Sequence, residues 1–475
     1  MAAVTKYDSI IIGSGQSGTP LAAAIAKTGQ KTALIEKEHI GGCCINEGCT
    51  PTKTLIASGR VAYLNRRGPD YGIHSSNTKD KANEVIVDML TVRQRKRNIV
   101  ASFHDGSAAR LHEAGVDVLA GDASFADEKT LKYKDSLGEE RTVYGQNIFI
   151  NVGARPAPPK LEGIDLLDKA RVLDSTSIQE LDEVPGHLVV IGGGYVGVEF
   201  AQLFRRLGAQ VTLIQRGAQL LPREDGAIAD LLLRILREDG LAVLLNAQSV
   251  RVTASPSGFA LTVHVDNDNR IIEGTHILFA AGRIPNTDSL NLEAANIKTD
   301  SKGYIRTNEY LETSSPSVFA MGDVKGGPAF THVSYDDFRI IRSNFLSLSS
   351  KKLSIKDRIV PYVVFTDPQM AHVGLHENEA RSRFPSKEIR TATMPMAYVA
   401  RALETDESRG MMKAVVDSDT GLILGFTCLG VEGGEIMSTV QMAMIGNVPY
   451  HKLQDTIWAH PALAESLNNI WGFLE

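Results

Sequence analysis

Cysteine is scarce in this chain, four residues in 475, and three of the four stand in one short stretch, GGCCINEGCTPTK from Gly41 to Lys53. A disulfide-stapled scaffold scatters its cysteines through a small fold, and a structural zinc site needs a second ligand cluster, so neither suits this spacing. Long hydrophobic runs are missing too: none approaches the ~20 residues that span a bilayer. The opening MAAVTKYDSIIIG reaches a strand pattern before a signal or transit peptide would fit, so a cytoplasmic chain is expected. In a reducing compartment, clustered cysteines are catalytic or metal-binding rather than a lasting structural bridge. An excess of one charge is also lacking. Fifty Lys+Arg against 56 Asp+Glu give a formal net charge of −6, and without a basic stripe neither nucleic acid nor an anionic membrane is an expected partner. The one basic cluster, RQRKR from Arg93 to Arg97, sits among helix formers and reads as a solvated helix face. What remains is an ordinary globular composition, 43% hydrophobic, long enough for about three domains with cores of their own.

The largest positive signal is an internal duplication. SIIIGSGQSGTPLAAAIAKTGQKTALIEK (Ser9 to Lys37) and LVVIGGGYVGVEFAQLFRRLGAQVTLIQR (Leu188 to Arg216) superpose without a gap. Each reads as apolar strand, glycine fingerprint, amphipathic helix, glycine stop and second apolar strand. Gly13, Gly15 and Gly18 match Gly192, Gly194 and Gly197; Gly29 matches Gly208; Glu36 matches Gln215. A lone GxGxxG is weak, but one that follows a strand, opens a helix and returns to a strand marks a dinucleotide site, with the pyrophosphate against backbone N–H groups at the positive helix end. Two such sites imply electron traffic between two dinucleotides. Glu36 suits a ribose 2′-OH and repels a 2′-phosphate, whereas Gln215 does not, and Arg216 beside it offers a guanidinium fork. The second site is therefore expected to prefer NADPH, with NADH as the alternative if Arg216 faces solvent.

The motifs in order carry a resemblance. The fingerprint at Gly13, Cys44 and Cys49, GDA at Gly121 to Ala123, NVGARP at Asn151, the fingerprint at Gly192, AAGRIPN at Ala280, FAMGD ending at Asp323, VFTDPQMAHVG at Val364 and HPALAES at His460 cover nearly the whole chain. It resembles the flavoprotein disulfide reductases, the group of lipoamide dehydrogenase, glutathione reductase and mercuric reductase. The resemblance implies an α/β fold of two Rossmann-like dinucleotide-binding domains, for FAD and NAD(P), with a C-terminal α+β dimerisation domain. The expected boundaries are 1–155 and 281–349 for the two FAD segments, 156–280 for the nucleotide domain and 350–475 for the dimer domain, whose start is placed in the serine- and lysine-rich stretch 343–362. The cofactor contacts it implies are Gly13, Ser14, Gly15, Gly18, Glu36, Lys37, Gly42, Cys43, Lys53, Ala123, Gly153, Gly282 and Asp323 for FAD, and Gly192, Gly194, Gly197 and Arg216 for the nucleotide. Lys53 and Glu199 match positions that pair near the flavin N5, and Tyr195 matches an aromatic gate that nicotinamide displaces.

Cys44 and Cys49 are five apart. A helix would separate them by ~7.5 Å, beyond the ~7 Å a disulfide tolerates, so the segment between them must be distorted, with Gly48 supplying the freedom. Thr50 followed by Pro51 resembles an N-cap and first helical residue, which sets Cys49 near a helix N-terminus, where a thiolate is stabilised. By resemblance Cys49 is the flavin-facing sulfur and Cys44 the interchange thiol, in an NAD(P)H-dependent FAD disulfide oxidoreductase. His460, oriented by Glu465, is the implied acid–base of the thiol half-reaction, completing the partner subunit's site in an obligate homodimer.

The departures bear on substrate. Cys43 stands where relatives carry threonine: either a small residue in a tight cofactor turn, or a vicinal Cys43–Cys44 pair suited to a soft metal or thiol relay. Cys428, in an apolar strand pattern, reads as inert core. CTPTKTL, LPRED, FTHVSYDDFRIIR and HPALAESLNN resemble mercuric-reductase-like flavoproteins and the bacterial reactive-chlorine resistance flavoprotein. Mercuric reductases end in a cysteine pair and lack the active-site histidine; this chain ends NIWGFLE and keeps His460, so dedicated mercury detoxification is not expected. A small-molecule disulfide is the expected acceptor, with a flavin-dependent mercury(II) or copper(II) reductase and a dithiol oxidase as alternatives; no resident metal is expected. A retired scaffold would show decayed motifs, and these are intact.

Overall fold

The computed structural model describes residues 4–74, 85–266, 268–346 and 351–475. They fall into two compact units. The first contains residues up to Leu55, Leu90–Pro158 and Gly282–Arg358; the second contains Ile56–Met89, Pro159–Ala281 and Ile359–Glu475. The expected domain start at 350 lies outside the described residues.

The first unit is built on consecutive β-branched residues. In the strand Thr5–Ile12, Ile10 and Ile12 point to one face and Ile11 to the other, and all three are buried. A strand buried on both faces belongs in a parallel sheet with cover on each side. The parallel part runs in the order Asp117–Ala120, Thr32–Glu36, Thr5–Ile12, Glu140–Ile150, and Thr130–Lys134 and Asp122–Phe125 extend it antiparallel. The 11-residue strand Glu140–Ile150 holds two partners on one edge: its start pairs Thr130–Lys134 and its end pairs Val318–Ala320 in parallel. That second pairing brings the late segment 282–358 into the unit. On one sheet face the helices Gly18–Ala26 and Thr331–Phe345 bury Leu21, Ala22, Ile25, Phe338 and Ile341 against Ile11, Leu34 and Phe149. Gly18–Ala26 is thus apolar on most of its surface rather than amphipathic, a correction that follows from its burial under the second helix.

The second unit repeats the plan. A parallel sheet runs Ala242–Leu244, Gln210–Ile214, His187–Ile191, His276–Phe279, Val172–Leu173. Ala247–Ser255, Gly258–Val265 and Asp268–Gly274 form an antiparallel meander beside it. Beyond residue 359 a five-stranded antiparallel sheet, Tyr362–Val364, Gln369–Gly374, Ile423–Gly430, Met411–Asp417, Ile389–Pro395, packs against the helix Gly433–Ile445 through Phe426, Cys428, Ile436, Met437 and Val440. Cys428 is 0% exposed and its thiol is pushed up to about 12 by burial, so it is inert core. The basic cluster lies on the helix Met89–Glu113; Arg95 and Arg97 are exposed, but Lys96 is buried, so the face is not wholly solvated. No helix among the described residues is long and apolar enough to cross a membrane.

Candidate active site

The duplication is exact down to its hydrogen bonds. Gly13 N donates to Ile35 O at 2.8 Å, and Gly192 N donates to Ile214 O at 2.9 Å. The next amide in each loop donates to the residue that ends the second strand: Ser14 N to Glu36 Oε2 at 2.8 Å, Gly193 N to Gln215 Oε1 at 3.0 Å. Glycine is required where helix meets strand, because a Cβ on Gly18 would lie 2.2 Å from Gly13 O and one on Gly197 1.8 Å from Gly192 O. Both following helices lack a side-chain cap and an acidic residue in the first turn, which suits their N-termini to a pyrophosphate. The Glu36 carboxylate accepts from Ser14 N, Ser14 Oγ and Glu38 N; its four lone-pair positions leave room for a ribose hydroxyl. These features fit FAD at the first loop and a nicotinamide nucleotide at the second.

Around the first loop, Gly15 meets Gly42 so closely that a Cβ on Gly42 would lie 2.8 Å from Gly15 Cα. Lys37 pairs with Asp122 at 2.9 Å. Asn151, buried, ties the loop to the late segment: Gly18 N donates to its Oδ1 and its Nδ2 donates to Met321 O, each at 2.9 Å. Gly153 and Gly282 begin the paired strands Ala154–Pro156 and Arg283–Pro285 from positive-φ conformations. Asp323, in the turn after Val318–Ala320, has its carboxyl pushed up by burial against the opposing pull of Arg283 and Lys325. Ala123 is buried, its side chain packed in the apolar core.

Cys44 lies in the helix Gly42–Asn46 and Cys49 opens the helix Cys49–Arg66. The break between them falls at Glu47 and Gly48, as the spacing demands. The second helix starts earlier than Thr50–Pro51 suggests: Thr52 N already donates to Gly48 O at 3.1 Å, so the N-cap place falls to Gly48 and Thr50 is inside the helix. A Cβ on Gly48 would lie 2.8 Å from Cys43 O, which explains why glycine holds the corner. All four cysteines are free thiols. Thr331, first residue of its helix, bridges the pair: its Oγ1 donates to Cys44 Sγ at 3.0 Å and lies 3.3 Å from Cys49 Sγ. The Cys44 thiol is pushed well above its ordinary value, first because it donates to Cys49 and next by burial, with Thr331 opposing. Cys43 is exposed, and Arg283 Nη2 stands 3.6 Å from its sulfur.

In the second unit, His460 is largely exposed and its Nδ1 lies 2.9 Å from Glu465 Oε2 and 3.1 Å from Oε1. A carboxylate there keeps the Nδ1 proton in place and leaves Nε2 for exchange. Glu199 is buried and accepts from Phe365 N at 2.7 Å. Tyr195, first residue of the helix Tyr195–Leu207, donates its hydroxyl to Glu224 Oε1 at 2.6 Å. Arg216 is exposed beside the Gln215 side chain, whose amide is spent on Gly193 N and Gln219 O.

Comparison with known proteins decides the family. A model described as pyridine nucleotide-disulphide oxidoreductase matches residues 7–337, and the dimerisation domain of the same group matches 360–470. The chain belongs to the pyridine nucleotide-disulphide oxidoreductases. Among members of this flavoprotein family, it is 35% identical to the probable pyridine nucleotide-disulfide oxidoreductase RclA of Escherichia coli, over 99% of this chain and 100% of that one. It is 34% identical to a mercuric reductase of Staphylococcus aureus, over 97% of this chain and 81% of the relative, and 31% identical to a dihydrolipoyl dehydrogenase of Bacillus subtilis, over 97% and 94%. A solved structure described as the Cu(II) complex of the HOCl-induced flavoprotein disulfide reductase RclA from Escherichia coli superposes with a TM-score of 0.87 at 35% identity, covering 99% of each chain. Family membership makes this chain an FAD-dependent oxidoreductase with a redox disulfide and a dimerisation domain.

Two residues escaped the sequence reading. Thr331 lay inside a quoted motif, but nothing local ties it to cysteines some 290 positions away. Glu224 lay in LPRED with only its charge to mark it.

Proposed function

We propose that this cytoplasmic enzyme passes electrons from NADPH through FAD and the Cys44–Cys49 pair to a small-molecule disulfide. The observation that carries the reading is the pair itself, set across a helix break with the Thr331 hydroxyl shared between the two sulfurs. FAD, when bound, supplies the two-electron link between nucleotide and disulfide. Gly13, Ser14, Gly15, Gly18, Glu36 and Gly42 hold it; Gly192, Gly194 and Gly197 hold the nucleotide, with Gln215 and Arg216 tolerating a 2′-phosphate. Cys44 attacks the substrate sulfur once its proton is drawn off, and His460 of the partner subunit, oriented by Glu465, returns a proton to the departing thiol. Tyr195 gates the nicotinamide pocket.

A second reading, reduction of copper(II) or mercury(II), is favoured by exposed Cys43 next to Cys44 and by relatives described as mercuric reductases and as a Cu(II) complex. Anaerobic NADPH and NADH consumption with lipoamide, glutathione disulfide, copper(II) and mercury(II) offered in parallel separates the two. Fast turnover of one disulfide, lost in His460→Ala, is expected; turnover with metals alone overturns the disulfide reading, and a strong NADH preference overturns the nucleotide assignment. Peroxide formed from a dithiol and oxygen would indicate an oxidase instead.

A further inference from the structure

The second unit contains a buried polar cluster that the proposed reaction does not use. The Glu224 side chain is fully buried. Its Oε1 accepts from Tyr195 Oη at 2.6 Å and Tyr362 Oη at 2.9 Å, while its Oε2 has no hydrogen-bond partner and faces His376 Nε2 at 3.7 Å. Tyr362 Oη also lies 3.3 Å from His376 Nε2. Glu224, His372 and His376 offer ligand atoms within 4.8 Å of one another, an arrangement that raises a metal site. The ring geometry and the partners of His372 argue against one. The two imidazoles stack face to face at 3.9 Å, and one ion cannot lie in both ring planes. His372 is engaged on both nitrogens, by Thr427 Oγ1 at 2.8 Å and Gly374 O at 3.1 Å.

What the cluster does hold is Tyr195. We infer that Glu224 is a positioning residue that latches the Tyr195 hydroxyl, so that the strength of this bond sets how readily the gate yields to reduced nicotinamide. The inference rests on the reading of Tyr195 as the gate. Three features make the latch releasable. Tyr195 is half-buried at the end of its helix, so its ring can move without unpacking the core. Tyr362 shares the same carboxylate oxygen, so Glu224 keeps one donor after Tyr195 leaves. His376 stands beside the unpartnered Oε2 to offset the buried charge. A hydrogen bond that exists only in the closed gate opposes nucleotide entry, and its removal therefore tightens nucleotide binding.

The test is anaerobic rapid-mixing reduction of the FAD-loaded enzyme by NADPH, and by NADH in parallel, comparing wild type with Tyr195→Phe, Glu224→Gln, the double variant and Tyr195→Ala. Tyr195→Phe and Glu224→Gln should each lower the apparent Kd for the nucleotide about three- to tenfold, the size of one hydrogen bond's net contribution. The double variant should match either single one. Additive effects of the two substitutions, or no shift in Tyr195→Phe, overturn the latch while a shift in Tyr195→Ala keeps the gate. An unchanged Kd in Tyr195→Ala overturns the gate and the latch with it. Should Glu224→Gln fail to fold, Tyr195→Phe alone still decides, since it removes only the latched oxygen.

Discussion

Thr331 is the residue whose chemistry is most exposed to test. Its hydroxyl donates to Cys44 Sγ and so favours the thiolate over the thiol, against the larger effects of Cys49 and burial that hold the proton on. Removing it in Thr331→Val withdraws that stabilisation, so the folded-state pKa of Cys44 rises further and less thiolate is present at neutral pH. The pH midpoint for alkylation of the reduced enzyme at Cys44 by iodoacetamide should move up by about one unit, the worth of one charge-assisted hydrogen bond. A midpoint that stays put or moves down contradicts the assignment. His460 and Glu465 make a comparable pair, joined at 2.9 Å. His460→Ala should slow disulfide turnover about 10²- to 10⁴-fold and leave reduction by NADPH largely intact; an equal loss in both half-reactions would remove His460 from the acid–base role.

Elements in the second unit are tied by charge as well as by apolar packing. Asp367 receives Arg60 from the helix Cys49–Arg66 and Arg206 from the helix Tyr195–Leu207, and Gln202 brackets its backbone with two 2.8 Å hydrogen bonds. The Arg206 guanidinium also lies 3.8 Å over the Tyr63 ring. Burial alone would push the Asp367 carboxyl up, but the two guanidinium groups outweigh it and hold it below the ordinary range. A carboxyl whose folded-state pKa is depressed stabilises the fold above its unfolded value of about 3.9, and that contribution disappears as pH falls through the folded value. Asp367→Asn leaves two guanidinium groups facing a neutral amide, and should cost about 3 kcal/mol in denaturant unfolding at pH 7. The gap between variant and wild type should narrow once the pH falls below about 4; a gap that does not change with pH would show that the ion pairs are not its source.

The whole molecule enters through the dimer. If, as proposed, His460 acts on the partner subunit's cysteines, a Cys44→Ser homodimer and a His460→Ala homodimer are each inactive toward disulfides, yet a hybrid of the two holds one intact site. Denaturing and refolding an equal mixture with FAD should restore about a quarter of wild-type turnover, since half of the dimers are hybrids with one working site of two. If His460 served its own subunit, no hybrid would be active, and turnover would stay at the level of the parents.

Much of this architecture was legible from local pattern. Glycine at 13, 18, 192 and 197 reports a backbone approach so close that any Cβ would collide, and strand–loop–helix spacing carries that information within thirty residues. The Cys44–Cys49 spacing likewise foretold a broken helix. The exact start at Cys49 was not legible, because Thr50–Pro51 is a sound cap on propensity, and what overrode it was Gly48 turning against Cys43 O. Thr331 beside the thiols, Asn151 beneath the fingerprint loop, and Tyr195, Tyr362 and His376 around Glu224 were decided by topology alone. Val318–Ala320 pairs with the end of the strand Glu140–Ile150, and the turn and helix that follow are carried to the cysteines by that register. Sequence pattern encodes what lies within one supersecondary unit; contacts between residues hundreds of positions apart exist only once the sheets have closed.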